Sequence, residues 1–169
     1  HNRQSVKKFY ALVNFVDTKG RFHDFNANFT AKQTGNTMAK EGTLLIVDDN
    51  RSILAALRLL LEKYFARVLT LPTPNRLATT LREEQIDVIL LDMNFTAGIN
   101  TGNEGIYWLS EIHARRPDIK VVLFTAYADI DLAVRAMRDG AVDFVVKPWD
   151  NDRLVASLRN AYNLARSAR

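Results

Sequence analysis

From residue 43 onward the apolar positions follow two rhythms that replace each other in turn. Thr43 to Val47, Arg67 to Leu71, Asp87 to Asp92, Ile119 to Thr125 and Val142 to Val146 are short apolar runs, and each predicts a buried strand. Between and after them, residues 50–65, 73–84, 102–115, 129–138 and 150–166 predict helices. In the first helix Ile53, Leu57, Leu60 and Tyr64 fall at helical spacing. Pro74 is tolerated in the first turn of the second, Pro117 stops the third, and Gly140 closes the fourth as a C-cap. Strands that are apolar throughout and alternate with helices imply a parallel sheet covered on both faces. In such sheets the functional site lies beyond the carboxyl ends of the strands, near the switch in strand order.

Residues 1–37 lack this patterning. They are rich in Asn and Phe, with no clear period of 2 or 3.6, and Thr34-Gly35-Asn36-Thr37 reads as a linker. Residues 1–42 are therefore expected to be an extension and linker, including a gene-start artefact among its origins, and residues 43–169 the functional domain. Of the 169 residues, 47% are apolar and 25% charged, ordinary values for a globular chain. No apolar run approaches the length of a membrane-spanning helix. Cysteine is absent, which excludes disulfides, thiolate metal sites and cysteine nucleophiles. The net charge of +4 invites a nucleic-acid reading. Its distribution counters that reading for the patterned region. Residues 1–37 carry six of the 23 basic and two of the 19 acidic residues, leaving 17 of each in residues 38–169. Any nucleic-acid binding would fall to the basic arm.

The strand ends carry a consistent chemistry. The first strand leads into Asp48-Asp49, the third ends in Asp92, the fourth in Thr125, and the fifth in Lys147 followed by Pro148. Each alone has an ordinary explanation: a helix N-cap, a turn former, a β-former or a surface charge. Together they form a set. Converging carboxylates repel unless a cation is bound, and oxygen ligands suit Mg²⁺. A Lys and a Thr hydroxyl facing that ion suit a phosphoryl group. A carboxylate beside it can act as nucleophile toward phosphorus.

The motifs Leu-Leu-Ile-Val-Asp-Asp (44–49), Val-Ile-Leu-Leu-Asp-Met (88–93), Val-Leu-Phe-Thr-Ala-Tyr (122–127) and Gly-Ala-Val-Asp-Phe-Val-Val-Lys-Pro (140–148) resemble those of the receiver domain of two-component response regulators. The resemblance implies an α/β flavodoxin-like fold, a three-layer sandwich around a five-stranded parallel sheet of order 2-1-3-4-5. It implies that Asp92 is the phosphoacceptor. Asp48, Asp49 and Asp92 would hold Mg²⁺ with the Asn94 backbone carbonyl, and Thr125 and Lys147 would contact the phosphoryl group. Phe144 takes the place of the switch aromatic, and the Lys147–Pro148 bond is expected to be cis. Residues 124–137 resemble in particular the receivers of NtrC-type, sigma-54-dependent transcriptional activators. Those carry an AAA+ ATPase and a helix-turn-helix after the receiver, and no Gly-x-x-x-x-Gly-Lys-[Ser/Thr] occurs here. The chain is thus expected to be a receiver fragment of a longer cytoplasmic regulator, with a stand-alone receiver as the alternative. Its expected partners are a sensor histidine kinase and, for the helix 4–strand 5–helix 5 surface, an output domain or a second receiver. Neither a membrane nor direct nucleic-acid binding by the receiver is expected. The domain is expected to be a switch, with catalysis limited to its own phosphorylation and dephosphorylation.

One departure stands out. The Pro that usually follows shortly after the phosphoacceptor is missing, and residues 93–105 form a Gly-, Asn- and Thr-rich loop longer by about five residues, read as a mobile segment or a lid. A haloacid-dehalogenase-type phosphatase would need Asp-x-Asp, and the position is Asn94. A receiver-like module working without phosphorylation is the remaining rival. His113, Tyr107 and Trp108 read as packing residues. Trp149 reads as the start of the last helix and a neighbour of the site. Ile130, Ala133 and Met137 read as core of the fourth helix.

Overall fold

In the computed structural model, residues 39–95 and 103–168 are described, and within them five parallel strands form one sheet of order β2-β1-β3-β4-β5. The strands are β1 (Thr43–Val47), β2 (Arg67–Leu71), β3 (Val88–Asp92), β4 (Lys120–Ala126) and β5 (Asp143–Lys147). The helices are α1 (Arg51–Leu61), α2 (Leu77–Glu83), α3 (Asn103–Arg115), α4 (Ile130–Arg138) and α5 (Asn151–Ser167). The alternation matches the sequence pattern, and the strand order is the one the family resemblance implies. β1 and β3, at the centre, are buried at every position, as their unbroken apolar runs require.

Two layers of apolar side chains cover the sheet. One face packs Leu44, Ile46, Leu90 and Phe124 against Leu54, Leu57 and Leu61 of α1 and Leu154, Leu158 and Ala161 of α5. The other packs Leu45, Ile89, Leu91 and Leu123 against Leu77 and Leu81 of α2, Leu109 and Ile112 of α3, and Ala136 of α4. In α1 the buried stripe is Leu54, Leu57 and Leu61, with Ile53 and Leu60 flanking it half-buried, and Tyr64 lies half-buried beyond the helix end. The stripe is thus turned by one residue from the spacing read in the sequence. In α4, Ala133 and Ala136 are buried while Ile130 and Met137 are partly so.

Helix boundaries depart from expectation where short 3₁₀ turns intervene. The second helix splits into a turn at Pro74–Arg76, capped by the Thr73 hydroxyl, and then α2. A turn at Tyr127–Asp129 precedes α4. The first helix stops at Leu61, short of Phe65, which is buried in the core beyond the helix end. Trp149 lies outside the last helix, because Asp150 is its N-cap and accepts the Arg153 N–H. Gly140 follows α4 at φ 108°, where its lack of a side chain also makes room for His113. The extension over residues 1–38 and the centre of the long loop, residues 96–102, lie outside the described residues. Among the described residues no helix is long and apolar enough to cross a membrane.

Candidate functional site at the carboxyl rim of the sheet

The ends of β1, β3 and β5 bring the charged side chains together. Past Val47, the first helix needs a cap, and Asn50 supplies it by accepting the N–H groups of Ser52 and Ile53. That leaves Asp48 and Asp49 for the rim. Asp48 is fully buried; its Oδ1 accepts the Asn50 N–H at 2.9 Å and its Oδ2 accepts from Lys147 Nζ at 2.6 Å. Asp49 is exposed. Asp92 closes β3 at 6% exposure, with Oδ1 3.3 Å from the same Lys147 ammonium. The Asn94 N–H donates to Asp92 Oδ1 at 3.3 Å. Asp48, Asp49 and Asp92 each offer an oxygen, all within 4.8 Å of one another, a set able to hold a metal ion.

One ammonium among three carboxylates leaves the rim short of positive charge. Burial, opposed by Lys147 and reinforced by the Asp48 carboxylate, pushes the Asp92 carboxyl from 3.8 up to about 6. Such a donor set, all oxygen and under-neutralised, fits a hard divalent cation.

Lys147 approaches from β5, followed by a cis Lys147–Pro148 bond, as the family resemblance implies. Its Nζ lies 4.7 Å from the centroid of the Phe124 ring, and Trp149 meets that ring edge-on at 5.3 Å. The sequence placed Trp149 near the site; the structure sets it one ring away, its indole N–H held by Asn151. Phe124 read only as a strand residue, and nothing in its pattern distinguished it from core.

Thr125 is fully buried, and its hydroxyl donates to the Ala126 carbonyl at 3.3 Å. Side-chain alternation puts it on the face of Leu123, whose register partner is Phe144. Thr125 and Phe144 are therefore diagonal neighbours on the face covered by α4, with Phe144 partly buried. Asp129 was read only as a helix start. Its carboxylate accepts a hydrogen bond from Asn94 Nδ2 at 2.9 Å. Trp108 packs against the core as read, but Tyr107 is exposed on α3 and meets only the Trp108 ring edge-on, so the packing reading holds for Trp108 and not for Tyr107.

Comparison with known proteins agrees with this geometry. The chain is 33% identical over 123 residues to the C4-dicarboxylate transport transcriptional regulatory protein DctD of Pseudomonas aeruginosa, covering 73% of this chain and 26% of that protein. It is 34% identical over 118 residues to the transcriptional regulatory protein ZraR of Escherichia coli, covering 70% and 26%. The chain thus spans about a quarter of the length of these relatives, which are regulators of the NtrC type that residues 124–137 resemble. The crystal structure of the N-terminal signal receiver domain of a two-component response regulator from Bacteroides fragilis superposes with a TM-score of 0.67 at 56% identity, covering 73% of this chain and 98% of that one. The model of the response regulator receiver domain matches residues 44–159, most of the chain. On that match, and with the 2-1-3-4-5 sheet presenting its acidic rim, the chain belongs to the response regulator receiver domain family.

Proposed function

We propose that the domain is a phosphorylation switch with Asp92 as phosphoacceptor and Mg²⁺ as its cofactor. The observation that carries this reading is the meeting of three carboxylates with Lys147, whose ammonium bridges Asp48 at 2.6 Å and Asp92 at 3.3 Å. An Asp92 carboxylate oxygen attacks phosphorus, the bond from phosphorus to the donor breaks, and the leaving group departs with the electron pair. The product is an acyl phosphate. Asp48, Asp49, Asp92 and the Asn94 backbone carbonyl would hold the Mg²⁺, which when bound neutralises charge on the phosphoryl oxygens. Lys147 supplies a second positive charge, and the Thr125 hydroxyl donates to a phosphoryl oxygen.

The output follows from the shared face of Thr125 and Phe144. Thr125 turning toward the phosphoryl group vacates space that the Phe144 ring fills, and this reshapes the surface of α4, β5 and α5. Phosphorylation acts by its differential contacts with two arrangements of that face. On this reading the phosphodonor is a sensor histidine kinase, and the receiver works in the cytoplasm as a signalling switch. The surface is read by a transcriptional output domain in the full-length regulator or by a second receiver.

The test is an intact-mass titration with acetyl phosphate, with and without Mg²⁺, on wild type and Asp92→Asn. A one-phosphoryl gain that needs both Mg²⁺ and Asp92 is expected. A folded wild type that gains no mass at saturating Mg²⁺ sinks the phosphoacceptor reading and leaves a receiver working unphosphorylated.

A further inference from the structure

Asp129 stands at the start of α4, where an aspartate ordinarily accepts the first unpaired amide hydrogens of the helix. Its side chain makes no such capping bond. The 3₁₀ turn Tyr127–Asp129 runs directly into the helix, and the carboxylate, 8% exposed, reaches across the rim to Asn94 instead. There its Oδ2 accepts from Asn94 Nδ2 at 2.9 Å. A buried carboxylate given to one amide group across the rim, at the expense of a local cap, points to a positional role for that bond.

Asn94 occupies a sensitive place. It is the second residue past Asp92 and donates its backbone N–H to Asp92 Oδ1 at 3.3 Å. Its neighbours are held by other elements. The Met93 N–H donates to the Phe124 carbonyl at 3.2 Å, and the Met93 carbonyl accepts from Gly105 at 3.1 Å. The Phe95 N–H donates to Glu104 Oε2 at 3.3 Å. The bond from Asp129 ties Asn94 itself to the segment that follows β4.

We propose that Asp129 is a positioning residue for the phosphorylation site: by fixing the Asn94 side chain it holds the Asn94 backbone carbonyl where a Mg²⁺ ligand must sit. This rests on the reading of the site given above. Mg²⁺ demands near-octahedral order at short distances, so a ligand carbonyl on a loop end needs support. Groups that orient ligands from behind typically alter metal affinity by about 10–100-fold when removed. Asp129 and Thr125 share one short connection, so the same bond lets a movement of Thr125 reach the loop that carries the carbonyl.

The test is calorimetric titration with Mg²⁺ on wild type, Asp129→Ala, Asp129→Asn, Asn94→Ala and the double alanine variant. Amide hydrogen exchange at Asn94 is followed in EDTA alongside it. Asp129→Ala is expected to bind Mg²⁺ about tenfold more weakly. Asn94→Ala, which keeps the backbone carbonyl, should lose a similar amount, and the double variant no more than either. Asp129→Asn retains an oxygen that can accept from Asn94 and should stay close to wild type. Exchange at the Asn94 amide should quicken in Asp129→Ala without metal, and at saturating Mg²⁺ that variant should still gain a phosphoryl group. Should Asp129→Ala fail to fold, Asn94→Ala and Asp129→Asn decide. Unchanged Mg²⁺ affinity with unchanged Asn94 exchange overturns the proposal, as do losses that add in the double variant. A wild type that binds Mg²⁺ but never gains mass removes the phosphoacceptor reading and leaves the Asp129 role standing; one that binds no Mg²⁺ removes both.

Discussion

Two buried aspartates flank the same central strand. Asp87 enters β3 at 8% exposure and Asp92 ends it at 6%. By residue type, strand and burial they are twins, yet they do opposite things. Asp87 Oδ2 accepts the Thr43 N–H at 2.8 Å, and the backbone N–H and carbonyl of Asp87 pair with Thr43 and Lys120. It joins β3 to both of its neighbours. Asp92 faces Asp48 and Asp49 across the rim, shares Lys147 with Asp48, and has its carboxyl raised to about 6. Burial alone makes neither residue functional. What separates them is whether the neighbours complete the carboxylate or leave it wanting a cation.

The largest test of that contrast is pH. The folded-state value of Asp92, about 6, lies above its ordinary 3.8, so the folded protein binds the proton more tightly than the unfolded chain. Stability in EDTA should therefore fall as pH rises from about 4 through about 6, by at most about 3 kcal/mol from this group. Subtracting the same denaturation series on Asp92→Asn isolates the effect, since that variant lacks the group. Millimolar Mg²⁺ should abolish the loss in wild type. A difference between the two proteins that stays flat with pH, with or without Mg²⁺, would mean that burial does not hold the Asp92 carboxyl above its ordinary value.

The reverse experiment is Asp87→Ala. Removing the acceptor leaves the buried Thr43 N–H unpaired, which costs about 1–3 kcal/mol. Urea denaturation should show that loss with Mg²⁺ affinity unchanged, because Asp87 lies at the far end of the strand. Weakened Mg²⁺ binding in this variant would break the separation of roles between the two ends.

This division was half legible in the sequence. The five strands announce themselves because a doubly covered strand must be apolar at every position, and Val88-Ile89-Leu90-Leu91 is the plainest case. Asp48, Asp49, Asp92 and Lys147 could be found because chain position alone puts them at carboxyl ends. Thr125 and Phe144 follow from strand alternation once the register is known. The Asn94–Asp129 bond spans 35 residues and depends on how one loop lies against another, which no local pattern encodes. Asp129 was hidden further, because an aspartate before a helix reads as a cap. The same limit explains the helix starts. Thr73-Pro74 and Tyr127-Ala128-Asp129 are compatible with an α-helical first turn, yet both segments are 3₁₀ turns, a distinction local sequence does not carry.

The smallest effect tests what holds the Asp92 end in place. Gly105, in the first turns of α3, donates its N–H to the Met93 carbonyl at 3.1 Å, and a Cβ there would lie 2.8 Å from Met93 Cα. That neighbour is backbone and cannot swing aside. An alanine gains about 1 kcal/mol of helix propensity over glycine, while overpacking costs about 1–3 kcal/mol, so Gly105→Ala should destabilise by only about 1 kcal/mol. Its telling consequence is local. Met93 follows Asp92 directly and precedes Asn94, so moving it spreads the groups meant to hold the cation. Mg²⁺ affinity should fall more than stability does. Gly42 offers the matched control at the opposite end of the sheet, where φ is 86° and a Cβ would meet the Tyr162 ring at 2.6 Å. Gly42→Ala should unfold more readily and bind Mg²⁺ as wild type does. If both alanines lower Mg²⁺ affinity alike, general loosening explains the loss, and the close contact between α3 and Met93 has no special part in shaping the rim.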